Sequence, residues 1–153
     1  MKRLSSVRFM AFSVVLGLLS LLMMFVPLFK AGGTVYNATT GFFDSGSGIA
    51  GTNGAWPAFV GFMLILVSTA AVFIISLPIK ISFGVEKLVL IGGSILDLIG
   101  LVLIMLITVE WCGINNWIMS PSNGAWLYPG SYLASFFALL AVCCNVQAYR
   151  LEK

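Results

Sequence analysis

The sequence predicts an all-α, membrane-embedded four-helix bundle, and its charge content and apolar stretches carry that prediction. Only 13 of the 153 residues are charged, eight Lys or Arg and five Asp or Glu, while hydrophobic residues make up 60% of the chain. The mean hydropathy is +1.08. Because a soluble domain carries about 25% charged residues, this composition excludes an ordinary cytosolic enzyme, a disordered tail and a nucleic-acid binder.

Four apolar stretches are long enough to cross a hydrocarbon layer about 30 Å thick, which takes roughly 20 helical residues. They predict helices over residues 9–29, 58–79, 88–109 and 127–149. The connections are outer loops over 30–57 and 110–126 and an inner loop over 80–87, so that 1–153 forms a single four-span membrane domain. The stretches lack period-2 alternation, and isolated strands cannot satisfy their backbone groups in lipid. The first stretch exceeds the apolar core of about 7–15 residues found in signal peptides, so we expect a retained helix.

The basic residues predict which way the helices point. Seven of the eight fall on the side of the chain termini: Lys2, Arg3, Arg8, Lys80, Lys87, Arg150 and Lys153. Only Lys30 falls on the other side. Since Lys and Arg concentrate in cytoplasmic connections, we expect a multi-pass protein of the cell membrane with both termini in the cytoplasm. The net charge of +3 is thus a topology signal, and we expect a lipid bilayer rather than nucleic acid as partner.

The motif Asn-Gly-Ala-Trp occurs twice, at 53–56 and 123–126. Each copy precedes a predicted helix that starts on the outer side, which suggests a duplicated helix hairpin. Asn is a favourable helix N-cap and Trp favours the water–lipid interface. The motif therefore predicts two matched helix starts anchored by Trp56 and Trp126, and the alternative is a twofold ligand site built from both copies. Trp111 and Trp117 of the second outer loop are further interface anchors.

Three short elements resemble those of small bacterial four-helix integral membrane proteins. They are Pro27-Leu28-Phe29, Gly41-Phe42-Phe43-Asp44 and Ala55-Trp56. The resemblance implies the fold and no particular activity. The topology is also similar to that of claudin-type proteins, whose first outer loop pairs Trp with two cysteines. That loop holds Trp56 and no cysteine here, so the likeness extends to topology alone. Residues 36–43 have the β-branched and aromatic character of a short hairpin.

Asp97 is the charged residue placed in the middle of a predicted span, where an ionised carboxylate costs about 2.5–3.5 kcal/mol on insertion scales. By depth we expect it to share a polar layer with hydroxyl groups of all four helices: Ser94, Ser20, Ser68, Thr69 and Ser135. One hypothesis is a neutral Asp97 that hydrogen-bonds these hydroxyls and holds the helices in register. The other is a proton or cation site in a small transporter or channel subunit.

The first and fourth helices also carry faces of small residues. These are Ser13, Gly17 and Ser20 on the first helix and Ser131, Ala134, Ser135, Ala138 and Ala141 on the fourth. Such faces let helices approach closely, and we expect their use in internal packing of the bundle.

Catalytic and metal-binding constellations are missing from the sequence. The chain has no His, which removes the commonest metal ligand and general base. Phosphate-loop, nucleophile-elbow and zinc-protease motifs are also missing. Cys112 is predicted outside, apart from Cys143 and Cys144, so it can link two copies by an intermolecular disulfide if the outside is oxidising. We expect no enzymatic activity, no cofactor and no metal.

Three functions fit these observations. The leading one is a structural or accessory membrane protein acting through helix–helix contacts, with itself as a homo-oligomer or with another membrane protein. The first alternative is a small proton- or cation-coupled transporter or channel subunit that uses Asp97. The second is an outward-facing interaction protein that uses the aromatic outer loops, with Trp111 and Trp117 in the contact.

Overall fold

The computed structural model describes residues 2–31, 33–37, 55–78, 82–109 and 125–151. Four long helices lie within them: α1 Lys2–Leu22, α2 Trp56–Ser76, α3 Phe83–Met105 and α4 Pro129–Leu151. All four are long and apolar enough to span a membrane, and the first apolar span continues through a 3-10 turn, Met23–Phe25. This confirms the predicted all-α four-helix bundle of a multi-pass membrane protein.

Prolines explain two differences from the predicted helix bounds. The first helix was predicted to reach residue 29, but α1 and its 3-10 turn end at Phe25. Pro27 disfavours helical backbone in the residue before it, and Val26 accordingly adopts φ −88° and ψ 150°. The fourth helix begins at Pro129 rather than at residue 127. Proline is well tolerated there, because first-turn N–H groups have no partner within the helix.

The second and third helices begin earlier than predicted and end earlier. α2 spans Trp56–Ser76 rather than 58–79, and α3 spans Phe83–Met105 rather than 88–109. Glu86 and Lys87, predicted to lie in the inner loop, belong to the start of α3. Helical hydrogen bonding continues into polar residues at the start of α3. Pro78 disfavours helical backbone at the residue before it, and Leu77, where α2 has ended, accordingly adopts φ −67° and ψ 154°.

A three-stranded antiparallel sheet lies at one end of the bundle. Its strands are β1 Phe29–Ala31, β2 Thr34–Tyr36 and β3 Trp126–Leu127, in the order β2-β1-β3. The hairpin thus spans residues 29–36, with its turn at Gly33 in the left-handed region at φ +86°. Of the hairpin predicted over 36–43, Tyr36 is the last residue of β2. Residues 38–43 lie outside the described part of the chain.

The sheet joins the segment after α1 to the segment before α4. The Leu28 N–H donates to the Tyr36 carbonyl at 2.8 Å, and the Leu28 carbonyl accepts from Tyr128 N–H at 2.9 Å and from the Ser131 hydroxyl at 2.7 Å. The rings of Phe29 and Tyr36 stack with centroids 4.8 Å apart. These contacts tie the segment after α1 to the start of α4 at one end of the bundle, which we call the sheet end.

Each helix packs against its two neighbours in the ring α1-α2-α3-α4. The start of α1 and the end of α4 lie together, because Ser6 contacts Ala148, and we call this the terminal end. Two groups of buried side chains fill the interior. The one at the sheet end includes Phe29, Tyr36, Phe62, Ile65 and Ile104, and the one at the terminal end includes Met10, Val72, Ile75, Leu90 and Ala148.

Candidate intramembrane polar site

Three serines of α1 hydrogen-bond to α4 at a spacing of seven residues. The hydroxyls of Ser6, Ser13 and Ser20 donate to the carbonyl oxygens of Ala148, Ala141 and Ala134, at 3.4, 3.4 and 2.8 Å. The alanine numbers fall by seven as the serine numbers rise by seven, as expected for antiparallel helices that meet along a heptad seam. All six residues are buried. The small-residue faces of the two helices therefore pack against each other, and we call these three bonds the serine ladder.

Glycines bring the other helices into close contact. A Cβ added at Gly100 of α3 would lie 2.6 Å from the carbonyl oxygen of Gly61 in α2, and one added at Gly61 would lie 2.8 Å from the Gly100 carbonyl. Gly17 of α1 packs in the same way against the side chain of Thr69 in α2. These glycines set the separation of α2 from its two neighbours.

Asp97 lies where α2, α3 and α4 meet. Asp97 is 2% exposed and Asn145 of α4 is 0% exposed, and Asn145 Nδ2 donates to Asp97 Oδ2 at 3.4 Å. The Ser68 hydroxyl of α2 neighbours the same carboxyl and donates to the Gly93 carbonyl at 3.0 Å. A Cβ added at Gly93 would lie 2.9 Å from Ser68 Oγ and 3.8 Å from Asn145 Nδ2. We call Asp97, Asn145, Ser68 and Gly93 the polar cluster.

Two of the hydroxyl residues predicted to surround Asp97 lie near it. Ser68 belongs to the polar cluster. Ser94 precedes Asp97 by one turn on α3, but its hydroxyl donates to the carbonyl of Leu90 in its own helix at 2.8 Å. The Ser94 hydroxyl is therefore hydrogen-bonded within its own helix, and the Asp97 carboxyl is contacted by other groups.

The other three predicted hydroxyls lie elsewhere. Ser20 belongs to the serine ladder, and Thr69 faces α1 through Gly17. Ser135 precedes Asn145 by ten residues on α4, about 15 Å along the helix axis. Its buried hydroxyl has no hydrogen-bond partner in the described part of the chain. The structure therefore does not assemble a single polar layer from all four helices. Depth in the membrane specifies the height of a residue, while the rotation of each helix decides which way it faces.

Asn145 is the site residue that the sequence reasoning missed. Charge singles out Asp97 within the apolar stretches, whereas the amide of Asn145 carries no charge. The sequence does contain a signal for it, because Asn145 lies on a heptad-spaced row of small residues. That row is Ser131, Ala134, Ala138, Ala141, Asn145 and Ala148, and all six are buried. An amide on a row otherwise made of Ser and Ala faces the bundle interior.

A groove of about 160 Å³ runs between α3 and α4 beside the polar cluster. Its walls are mainly apolar: Leu90, Ile91, Ile95, Leu98, Val146 and Tyr149, with Ser94 and Asn145 contributing the polar groups. The amide of Asn145 thus lies between the Asp97 carboxyl and an apolar groove.

The two copies of the repeated motif adopt different local structures. Trp56 is the first residue of α2, whereas Trp126 lies in β3, three residues before α4 starts. The prediction of two matched helix starts is therefore wrong for the second copy, because the chain pairs with β1 before Pro129 begins the helix. Both Trp side chains are exposed at the sheet end, at 60% and 63%, which suits interface anchors.

Several predicted residues fall outside the described part of the chain. They are Trp111, Trp117, Cys112 and the Asn-Gly halves of both motif copies. Cys143 is exposed and Cys144 half-buried on α4, and both are free thiols. Among the residues that the structure describes, no three His, Cys, Asp or Glu side chains form a group able to hold a metal ion.

The chain matches no protein-family model, and comparison with curated proteins and with solved structures also finds no significant match. The function has to be argued from the fold and its polar groups.

Proposed function

We propose that the protein is a non-enzymatic structural or accessory membrane protein that acts through helix–helix contacts, with a second copy of itself or with another membrane protein. The polar groups support this role. The serine ladder, the Ser68–Gly93 bond and the Asp97–Asn145 bond each join one helix of the bundle to another. They hold a fixed arrangement of helices whose outward surface is free for lateral contact.

The observation that carries the proposal is an outward-facing row on α3. Its members follow a spacing of three and four residues: Val85, Leu88, Gly92, Ile95, Ile99 and Val102. The five large side chains are between 46% and 70% exposed. A continuous row of this spacing is the seam along which helices pack side by side.

Gly92 gives this row a notch. A Cβ added at Gly92 meets nothing within 4 Å, whereas one added at the next residue, Gly93, would contact Ser68 at 2.9 Å. Glycine in a helix interior is about 0.5–1 kcal/mol less favourable than alanine, and the contacts inside the bundle give no reason for it at this position. Small residues on a membrane helix let a neighbouring helix approach closely, so Gly92 marks the expected contact.

The test compares two variants that place the same side chain on different lipid-facing surfaces. Gly92→Leu fills the notch, and Ala70→Leu adds the same side chain on the exposed face of α2. Tagged proteins are extracted from their native membrane into nanodiscs, co-purifying proteins are quantified by mass spectrometry, and subunits are counted by photobleaching. We expect wild type and Ala70→Leu to retain a stoichiometric neighbour and Gly92→Leu to lose it. Wild-type nanodiscs that hold one copy and no other protein would refute the proposal.

We also propose that the terminal end faces the cytoplasm of the cell. Both described chain ends lie there, together with Arg8, Lys87 and Arg150, which supports the charge-based orientation. The Lys87 ammonium lies 4.0 Å from the centre of the Phe83 ring and 5.6 Å from that of Tyr149, an arrangement suited to the membrane interface. Labelling single-cysteine variants near residues 4 and 126 with a membrane-impermeant thiol reagent tests it, and outside labelling near residue 4 would contradict it.

A further inference from the structure

Two buried oxygen atoms of the polar cluster have no hydrogen-bond partner among the described residues. They are Asp97 Oδ1 and Asn145 Oδ1, which belong to the same two side chains that are already joined through Asn145 Nδ2 and Asp97 Oδ2. Both orphan atoms act as acceptors when the carboxyl is ionised, because a carboxylate has no hydrogen to donate. Leaving a buried acceptor unpaired is unfavourable, because the group has given up its hydrogen bonds to water.

We infer that Asp97 and Asn145 form a proton-binding site, in which a neutral Asp97 donates its hydroxyl hydrogen to the Asn145 amide oxygen while the Asn145 amide nitrogen donates back. A neutral carboxyl and a carboxamide each offer one donor and one acceptor side by side. A single proton therefore satisfies both orphan atoms. The inference is independent of the proposed lateral contact at Gly92, which lies on the outward row of α3.

Ser68 is the competing partner on α2. Its one hydroxyl hydrogen is donated to the Gly93 carbonyl at 3.0 Å, and rotation of the hydroxyl would turn that hydrogen toward the neighbouring carboxyl. Ser68 Oγ still has room to accept a hydrogen bond, and the experiment has to separate this acceptor from Asn145. Asn145 is favoured because pairing with it satisfies two orphan atoms rather than one.

The basic residues of α3 and α4 in the described part of the chain, Lys87 and Arg150, lie toward the terminal end. α2 contains no charged residue, and Lys87 of α3 lies ten residues, about 15 Å, from Asp97. Arg150 of α4 lies five residues beyond Asn145 at the terminal end. The titratable groups within four residues of Asn145 on α4 are Cys143, Cys144 and Tyr149, none of which can supply a positive charge.

The chain allows this carboxyl to be observed alone. It contains two aspartates, Asp44 and Asp97, so Asp44→Asn leaves Asp97 as the only one. The full-length Asp44→Asn protein is labelled with carbon-13 at the aspartate carboxyl, placed in lipid bilayers at neutral pH and measured by infrared spectroscopy. We expect an isotope-shifted carbonyl band of a carboxylic acid, lost when Asp97→Asn is added. A pair of carboxylate bands in place of the acid band would overturn the inference.

Two further variants in the Asp44→Asn background identify the acceptor. Asn145→Leu removes the amide and should move the acid carbonyl band to the higher frequency of a weakly bonded acid, while Ser68→Ala should leave it in place. The opposite result, a shift with Ser68→Ala and none with Asn145→Leu, would also overturn the inference. The protonation reading comes from Asp44→Asn itself, so it stands even if a cluster variant fails to fold.

Discussion

Replacing Gly100 by alanine tests whether backbone contact sets the distance between α2 and α3. The added Cβ would lie 2.6 Å from the Gly61 carbonyl oxygen and 2.9 Å from Cγ1 of Ile65. Ordinary contacts begin at 3.4 Å, so the two helices must separate by about 0.8 Å. Forcing a methyl group into a packed contact costs about 1–3 kcal/mol, and alanine returns about 1 kcal/mol through its better helix propensity. We expect a net loss of unfolding free energy of up to about 2 kcal/mol.

Gly92→Ala is the matched control on the same helix, with the protein dilute enough that each micelle holds one copy and the lateral contact proposed at Gly92 does not enter the comparison. Its added Cβ meets nothing within 4 Å, so it has the same gain in helix propensity without the clash. The difference between the two variants therefore isolates the backbone contact, at about 1–3 kcal/mol. Equilibrium unfolding by SDS in mixed micelles, followed by circular dichroism, measures it. If Gly100→Ala were as stable as Gly92→Ala, the close approach of α2 and α3 would not be a packing constraint and the reasoning would be wrong.

Three other predictions follow from the polar groups and the sheet. Ser20→Ala removes the 2.8 Å hydrogen bond to the Ala134 carbonyl. We expect it to lower the unfolding free energy by about 0.6 kcal/mol, the average for hydrogen bonds between membrane helices. No change in the same SDS titration would mean that this bond does not stabilise the fold. Asp97→Asn and wild type should both show background proton and cation flux in proteoliposomes, and flux that depends on Asp97 would instead favour the transporter hypothesis. Burial raises the pKa of Tyr36 above its ordinary value of 10.0, so the folded state holds the phenol proton more tightly than the unfolded state. The resulting contribution to folding stability is complete below pH 10 and is lost as the pH rises further. Tyr36→Phe should therefore lose less stability in thermal unfolding between neutral and alkaline pH than wild type, and equal losses would contradict this.

The polar site shows where sequence reasoning reached its limit. Asp97 could be recognised because a carboxylate inside an apolar stretch is costly wherever the helix packs. Its partner could not, because Ser135 and Asn145 are both polar residues of α4 and only the rotation and register of that helix decide which one meets the carboxyl. The same limit applies to the repeated motif, whose second copy pairs with β1 instead of starting a helix.

By itself the sequence determined the class of protein and its four apolar spans, because transfer of a helix into lipid depends on the composition of about 20 residues together. Only the tertiary structure decided what each residue on a span does. Gly92 and Gly93 are adjacent in the same apolar helix, yet one is open to the outside and the other contacts Ser68 at the polar cluster. Successive helical residues point about 100° apart. Packing and hydrogen bonding depend on that direction and on distances of a few tenths of an ångström, and a hydropathy averaged over about 20 residues contains neither.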